Sequence, residues 1–507
     1  DGPNAITDEH GFAAAVIAYD LNLAPGETSD IFISYPLHNA QPLLHTGVDA
    51  SEWAGRYALL RELTLNQWRP LVHRFDVSVP EPGLEEVMRA NIAYNLVTQD
   101  HAAIQPGSRS YEKAWMRDGA IAAVAMLQAG LPEEAVAFAR WYAPHQLESG
   151  EMPPIIDTRA EDPLWEPKQG LLKYASQGQF FWPVHHIYRH TGDRAFLAEM
   201  FPYVLRTLEY THELRSRRRT EEFRDGPPEK RIFYGLLPES NSHEGYHMKH
   251  SYWDDFWAIK GWEDARLLVT DMNREDLLPW IDEELQDFRE RVLESIALVG
   301  SLKNIRHLPG AAELGDIDPT SSAGAIVYNE LIDYLPQAMR DYTFDHFYRE
   351  IAGRLAPGAS FRLTPYEFRT MAAFLRLGQK GRALTHLRFL LSCRRPEAWQ
   401  HFAEVVVSDL REGTYIGDMP HTWVGAEAVI AIAHLFVYEQ GDHVTVGAGI
   451  DPAWLKPNQA PVRLSRWSTI HGIVSIELVR EADGAVRIHL DGNAAPPGGF
   501  IIHSPDA

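Results

Sequence analysis

From residue 84 to residue 438 the chain repeats one pattern: a segment with apolar residues at helical spacing, a short polar connection, then a second such segment. Leu84–Thr98 shows the spacing in Leu84, Val87, Met88, Ile92 and Leu96. Ala120–Gly130 and Pro132–Tyr142 are joined across A-G-L-P, and Phe180–His190 and Ala195–Leu214 across T-G-D. Trp253–Asp271 with Arg274–Leu298, Ala325–Met339 with Thr343–Ala356, and Tyr366–Leu377 with Lys380–Leu391 continue the series, which ends at Trp423–Tyr438. About eleven or twelve helices in antiparallel pairs, with no strand–helix alternation, exclude doubly wound and β/α-barrel folds. The count suits a closed double ring, and periodicity alone does not separate that ring from an open solenoid.

The flanks differ. Residues 1–80 carry strand-like runs, F-A-A-A-V-I-A-Y-D-L-N-L and S-D-I-F-I-S-Y-P-L, separated by the turn signal A-P-G-E-T. Another run, W-R-P-L-V-H-R-F-D-V-S-V-P, follows a helical stretch at Asp49–Leu63. These residues are expected to form a β domain with one crossing helix, bounded by E-P-G at 81–83. From 441, H-V-T-V-G-A-G-I, G-I-V-S-I-E-L-V-R and A-V-R-I-H-L-D predict a small C-terminal sheet over 441–507, leaving 81–440 for the helices. The opening D-G-P-N, without Met, suggests a trimmed form or a piece of a longer protein with further domains.

A net charge of −23 argues against a polyanion partner such as nucleic acid, which needs a basic face. The dense basic run R-S-R-R-R at Arg215–Arg219 is expected to be a solvated helix end. One cysteine, Cys393, excludes an intrachain disulfide and a cysteine-based zinc site, and no apolar run is long enough for a transmembrane helix. Neither observation fixes the compartment, cytoplasmic or secreted.

Long segments between the helices, at 99–116, 143–179, 221–251, 299–323 and 394–422, are where function is expected, gathered at one mouth if the helices form a ring. The stretch Tyr234–Asp264 mixes carboxylates with large rings, as a carbohydrate site requires: sugar faces stack on rings, and glycosidic cleavage uses two carboxyl groups. Within it, G-L-L-P-E-S-N-S places Glu239 between apolar residues. Partial desolvation there would raise its pKa and suit it to act as an acid. Glu244, Asp254 and Asp255 are rivals, the last two able instead to start the helix near Trp253.

Tyr111–Ala120, Y-E-K-A-W-M-R-D-G-A, allows two roles for Arg117 and Asp118: a helix cap with a surface ion pair, or a grip on adjacent sugar hydroxyls with Trp115 as stacking face. Q-G-Q-F-F-W at 177–182 offers Gln179 as a further sugar contact or a core edge. G-D-I-D-P-T-S-S at 315–322 is a turn or ligand-facing loop without the oxygen ligands of a calcium site. P-E-A-W-Q-H-F-A-E-V-V-V holds Glu404, and Y-I-G-D-M-P-H-T-W-V-G-A-E adds Asp418, Glu427 and His421, the last a cap or a hydroxyl partner.

W-M-R-D-G-A resembles the W-x-R-D segment of glucoamylase-type enzymes, glycoside hydrolase family 15 and related six-hairpin glycosidases. The resemblance implies that Arg117 and Asp118 bind the terminal sugar and that Glu239 is the general acid. P-H-T-W-V-G-A at 420–426 resembles the family's late helix start, and Glu404, 19 residues before Trp423, matches its general base. It further implies a mainly α fold, an (α/α)6 toroid with an N-terminal β-sandwich-like domain and a C-terminal β segment, as in bacterial members. The expected activity is exo-acting, inverting hydrolysis of an α-glucoside or related oligosaccharide, without cofactor or metal. Trp253, Asp254, Trp257, His421 and Trp423 are expected to line the pocket. Two alternatives stand beside it: a phosphorylase with a phosphate cradle at Arg394–Arg395 and Ser321–Ser322, and a non-catalytic carbohydrate-binding protein.

Overall fold

A computed structural model describes residues 18–33, 50–107, 109–164, 168, 170–243, 245–409, 411–457 and 459–506. The chain divides into two compact units, Asp1–Gln67 and Trp68–Ala507. In the first, residues 18–33 carry no strand, and the long helix α1 (Ala50–Val72) begins. The strand-like runs expected at 18–23 and 29–33 are thus not formed; the remainder of those two runs lies outside the described residues. Trp68–Val72, read as the start of a strand, ends α1 instead, and only Asp76–Ser78 beyond it is extended, as β1.

The second unit contains α2 (Leu84–Val97), α3 (Met116–Gln128), α4 (Pro132–Tyr142), α5 (Ala175–Thr191), α6 (Arg194–Ser216), α7 (Tyr252–Asp271) and α8 (Leu278–Lys303). It continues with α9 (Pro319–Val327), α10 (Gln337–Arg354), α11 (Phe368–Arg376), α12 (Lys380–Ser392) and α13 (Thr422–Ala433). Composition sorts these helices into two layers. In α3 every residue except Arg117 is buried, and in α13 every residue is buried. A helix apolar all round must be enclosed. In α10 only Thr343, Phe344, Phe347 and Ile351 are buried, a single stripe that suits an outer position. The inner helices are α3, α5, α7, α9, α11 and α13. Each packs on the next, and α13 packs back on α3, so the ring closes. The outer helices α4, α6, α8, α10 and α12 follow their inner partners as hairpins, and α2 covers α13. Closure settles the choice between ring and solenoid that periodicity left open.

Close packing has local causes. Gly178 on α5 lies against the backbone of α7, where a Cβ would land on the Trp257 carbonyl, and Gly261 on α7 faces it. The helix expected at Ala325–Met339 forms earlier, as α9, because Asp318 caps it through Thr320 N–H (3.1 Å) and Ser321 N–H (2.8 Å). It stops before Glu330, whose φ is 55°, and Pro336 precedes the next helix.

The last helix, expected to reach Tyr438, ends at Ala433, and β2 (Val437–Gln440) pairs with β3 (His443–Val446). Of the predicted C-terminal strands, H-V-T-V forms β3, and the other two are β5 (Gly472–Arg480) and β6 (Val486–Gly492); β4 (Val462–Thr469), which was not predicted, completes with them an antiparallel sheet edged by β1. β7 (Phe500–Ile502) joins β3 in parallel. The basic run is not a solvated end: Arg215 is buried and, with Arg219, pairs with Glu284 and Asp287 of α8.

Candidate functional site at the N-terminal mouth of the ring

All six inner helices start at the same end. Trp115 precedes α3, Ala175 opens α5, Ser251 precedes α7, Asp318 caps α9, Tyr366 stands just before α11, and His421 caps α13. Protein side chains take up several of the first-turn N–H groups, among them Ala175 N–H on Asp254, Thr320 and Ser321 N–H on Asp318 and Val424 N–H on His421, and the positive ends of the helix dipoles favour carboxylates at this mouth. Trp115, Arg117, Lys173, Gln179, His243 and Trp253 line a small pocket there. Its free volume of 20 Å³ gives room for about one water, so a sugar ring must move one of these side chains aside. Gln179 is 2% exposed, and its Nε2 has no hydrogen-bond partner among the described residues. Arg117 is not at a surface: its guanidinium lies 3.7 Å from the Trp423 ring centre and 5.6 Å from that of Trp115, and its Nε donates to buried Asp118 at 3.2 Å. Asp118 sits in the first turn of α3, not at its cap.

Glu404, 7% exposed, stands at the α11–α13 side of the mouth. Tyr111 donates its hydroxyl to Oε2 at 2.8 Å and Tyr366 to Oε1 at 3.1 Å. Burial, a hydrogen bond with Tyr415 and the Glu404 charge hold the Tyr111 phenol far above its ordinary range, so it stays a donor. His421 Nδ1 accepts from Val424 N–H at 3.4 Å; in the neutral ring the proton then sits on Nε2, 3.8 Å from Glu404. The capping role expected for His421 is therefore met, and the same ring faces the carboxylate.

Glu239 differs from expectation. Burial pushes its carboxyl up, but its own backbone N–H, Arg218 and His250 outweigh burial and leave it below the ordinary glutamate range. Arg218 pairs with Oε2, His250 Nε2 lies 3.5 Å away, and 37% of the side chain is exposed. The raised pKa inferred from the Leu and Pro neighbours does not arise, because Arg218, a residue of the basic run 21 positions earlier, meets the carboxyl together with His250. Leu237 and Pro238 could not reveal that partner.

The rival acids have other duties. Asp254 accepts from Ala175 N–H (2.8 Å) and the hydroxyls of Ser240 (2.6 Å) and Ser242 (2.5 Å). Asp255 accepts from Leu237 N–H at 2.9 Å. Burial raises both carboxyls, and together they pin segment 237–242 and the start of α5 to α7. Asp418 accepts the backbone N–H groups of Arg109 (2.9 Å), Ser110 (2.7 Å) and Tyr111 (3.1 Å); burial lifts it, and these bonds carry it below its usual range. It holds the loop that aims Tyr111. Glu244 lies outside the described residues.

Trp253 lines the pocket as expected, whereas Trp257 lies deeper, its ring 5.8 Å from Tyr328 and 5.5 Å from Trp182. Trp423 is fully buried as the platform under Arg117, stacks on Tyr366 at 3.8 Å and donates to Glu427 at 2.7 Å. Glu427 pairs with buried Arg369 at 2.9 Å. Arg394 and Arg395 bond to Gln400 and to the Val407 carbonyl, while Ser321 bonds to Asp318, so the proposed phosphate cradle has its parts on separate partners. Tyr111, Lys173, His243 and Tyr366 were missed. Tyr111 and Tyr366 each open a run already singled out or predicted helical, but nothing local shows that both phenols meet Glu404.

A roomier cavity lies at the opposite end of the ring. The mouth is the better candidate for chemistry, because the long inter-helix segments deliver rings, amides and Glu404 to it. Among the described residues no helix is long and apolar enough to cross a membrane, and no group of three or more His, Cys, Asp or Glu could hold a metal ion.

No protein-family model matches the sequence, and no curated protein matches it. Solved structures do. A GH78 family rhamnosidase of Bacillus sp. GL1 superposes with a TM-score of 0.56 at 12% identity, over 85% of this chain and 43% of that one. An alpha-L-rhamnosidase from Dictyoglumus thermophilum gives 0.53 at 11%, over 80% and 43%. A rhamnosidase from Klebsiella oxytoca with rhamnose bound gives 0.51 at 13%, over 70% and 64%. The chain thus spans less than two thirds of each of these relatives. The narrower likeness to family 15 finds no support in them. What the chain shares with these proteins is the fold, a mainly α, six-hairpin (α/α)6 toroid with C-terminal β segments.

Proposed function

We propose that this protein is a glycoside hydrolase that removes a terminal sugar from an oligosaccharide or glycoside at the N-terminal mouth of the ring. One observation carries this: a buried carboxylate, Glu404, held by two phenols beside a pocket of Trp115, Trp253, Arg117 and an unpartnered Gln179 amide. Rings stack on sugar faces, and the guanidinium and amide bond to hydroxyls. Two O–H donors hold the Glu404 carboxyl in place at the mouth, where a base that activates water would stand.

The proposed acid is Glu239, on the segment that Asp254 and Asp255 fix to the mouth. Displacing Arg218 on substrate entry would return its carboxyl upward and let it protonate the leaving oxygen. Water attack from the opposite face gives inversion, which requires the carboxyls about 6.5–9.5 Å apart. The sugar is proposed to be an α-glucoside or, given the rhamnosidases of the same fold, an α-L-rhamnoside. The test is turnover of nitrophenyl glycosides, with product anomers followed by NMR. Glu404→Gln should lose at least about a hundredfold in kcat, the scale of general acid–base catalysis. Unimpaired turnover by that variant would overturn the assignment, and no turnover on any glycoside would favour a binding protein.

A further inference from the structure

The C-terminal ends of the inner helices surround a second cavity, with a volume of 360 Å³, closed below by the turns after β2 and β4. Nothing in the mouth chemistry uses it, yet polar side chains are set among the apolar ones of its walls. Several of its charges are matched within the wall: Lys260 Nζ lies 3.1 Å from Asp264 and 3.3 Å from Glu330, and Arg376 lies 3.7 Å from the other Glu330 oxygen. Glu439 is raised by burial above its usual range and accepts Ile470 N–H at 3.1 Å. Burial holds the His186 and His434 rings well below the ordinary histidine range, so both are neutral near pH 7. Gln128 Oε1 and His434 Nδ1 have no hydrogen-bond partner among the described residues, at 5% and 3% exposure. The rings of Trp182 and Tyr328, 5.3 Å apart, form one wall.

We propose that this cavity is a second binding site, for one small neutral polyhydroxylated molecule of monosaccharide size. An ionic ligand would have to compete with these pairs for a counter-charge, and the lining holds acidic and basic groups together, among them Arg189, Glu263 and Asp442, so neither sign is favoured throughout. An apolar ligand would leave Gln128 and His434 unsatisfied. A polyol supplies hydroxyls that both donate and accept, and a ring face for Trp182. The volume falls within the range of small-molecule pockets, about 300–1,000 Å³.

The test is calorimetric titration of the full chain with L-rhamnose, D-glucose and myo-inositol, and with inorganic phosphate as the ionic probe. An Arg117→Ala/Gln179→Ala variant removes the mouth contacts, so binding that survives in it belongs elsewhere. The expected result is that at least one polyol binds this variant one per chain. Gln128→Leu or His434→Phe added to it should weaken that binding at least tenfold, with unchanged circular dichroism showing that the variant is folded. Two distal variants keep the test valid if one fails to fold. The proposal is overturned if no polyol binds the mouth variant, if binding is indifferent to both distal variants, or if phosphate alone binds.

Discussion

Asp318 offers a measurable link between the mouth and stability. Its carboxylate caps α9 and lies 3.3 Å from His243 of the pocket wall. Burial pushes its pKa up, but His243 and the Ser321 hydroxyl and N–H outweigh burial and bring it down to about 2, from 3.8. A depressed carboxylate stabilises the fold above its unfolded pKa, and that contribution is lost as pH falls through the folded value. The shift corresponds to about 2 kcal/mol at pH 7 and, by the same linkage, about 1 kcal/mol at pH 3. Asp318→Asn keeps a capping oxygen and removes the charge. Unfolding entropy of about 2.1 cal/mol/K per residue makes this a fall of about 2 °C in Tm at pH 7 for the Trp68–Ala507 unit. Thermal melts of wild type and variant at both pH values should show the gap shrinking by about half at pH 3. A gap that is absent at pH 7, or as large at pH 3 as at pH 7, would refute the pairing.

Other outcomes follow from the same contacts. Arg218→Ala should raise the Glu239 carboxyl and move the alkaline limb of the kcat/KM–pH profile, which the general acid sets, to higher pH, because the folded-state charge partner is gone; an unmoved limb would remove Glu239 from the acid role. Gly178→Ala places a Cβ on the Trp257 carbonyl, backbone that cannot step aside, and should cost at least about 1–3 kcal/mol in urea unfolding. Glu427→Leu alone strands the buried Arg369 guanidinium and should cost about 3–5 kcal/mol, whereas adding Arg369→Met should recover much of it. Equal losses in single and double variants would show that the pair is not coupled.

The helical pairs were legible because burial dictates composition: α3 and α13 are apolar all round, α10 has one apolar stripe, and A-G-L-P and T-G-D punctuate the hairpins. The W-M-R-D run and Glu404 could be picked out for their residue types. Sequence could not show that the chain closes into a ring, since closure is made by α13 meeting α3, helices far apart in sequence. It could not assign the carboxylates either. Glu239 looked desolvated beside Leu237 and Pro238, but its own backbone N–H, Arg218 from beyond the end of α6 and His250 bring its pKa down. Asp418 looked available until three N–H groups of 109–111 claimed it. A carboxylate's pKa depends on the donors and charges within a few ångströms. Residue types and periodicity were local and readable; those neighbours, arriving from as far as 21 residues away at Glu239 and 309 away at Asp418, were decided by the tertiary structure alone.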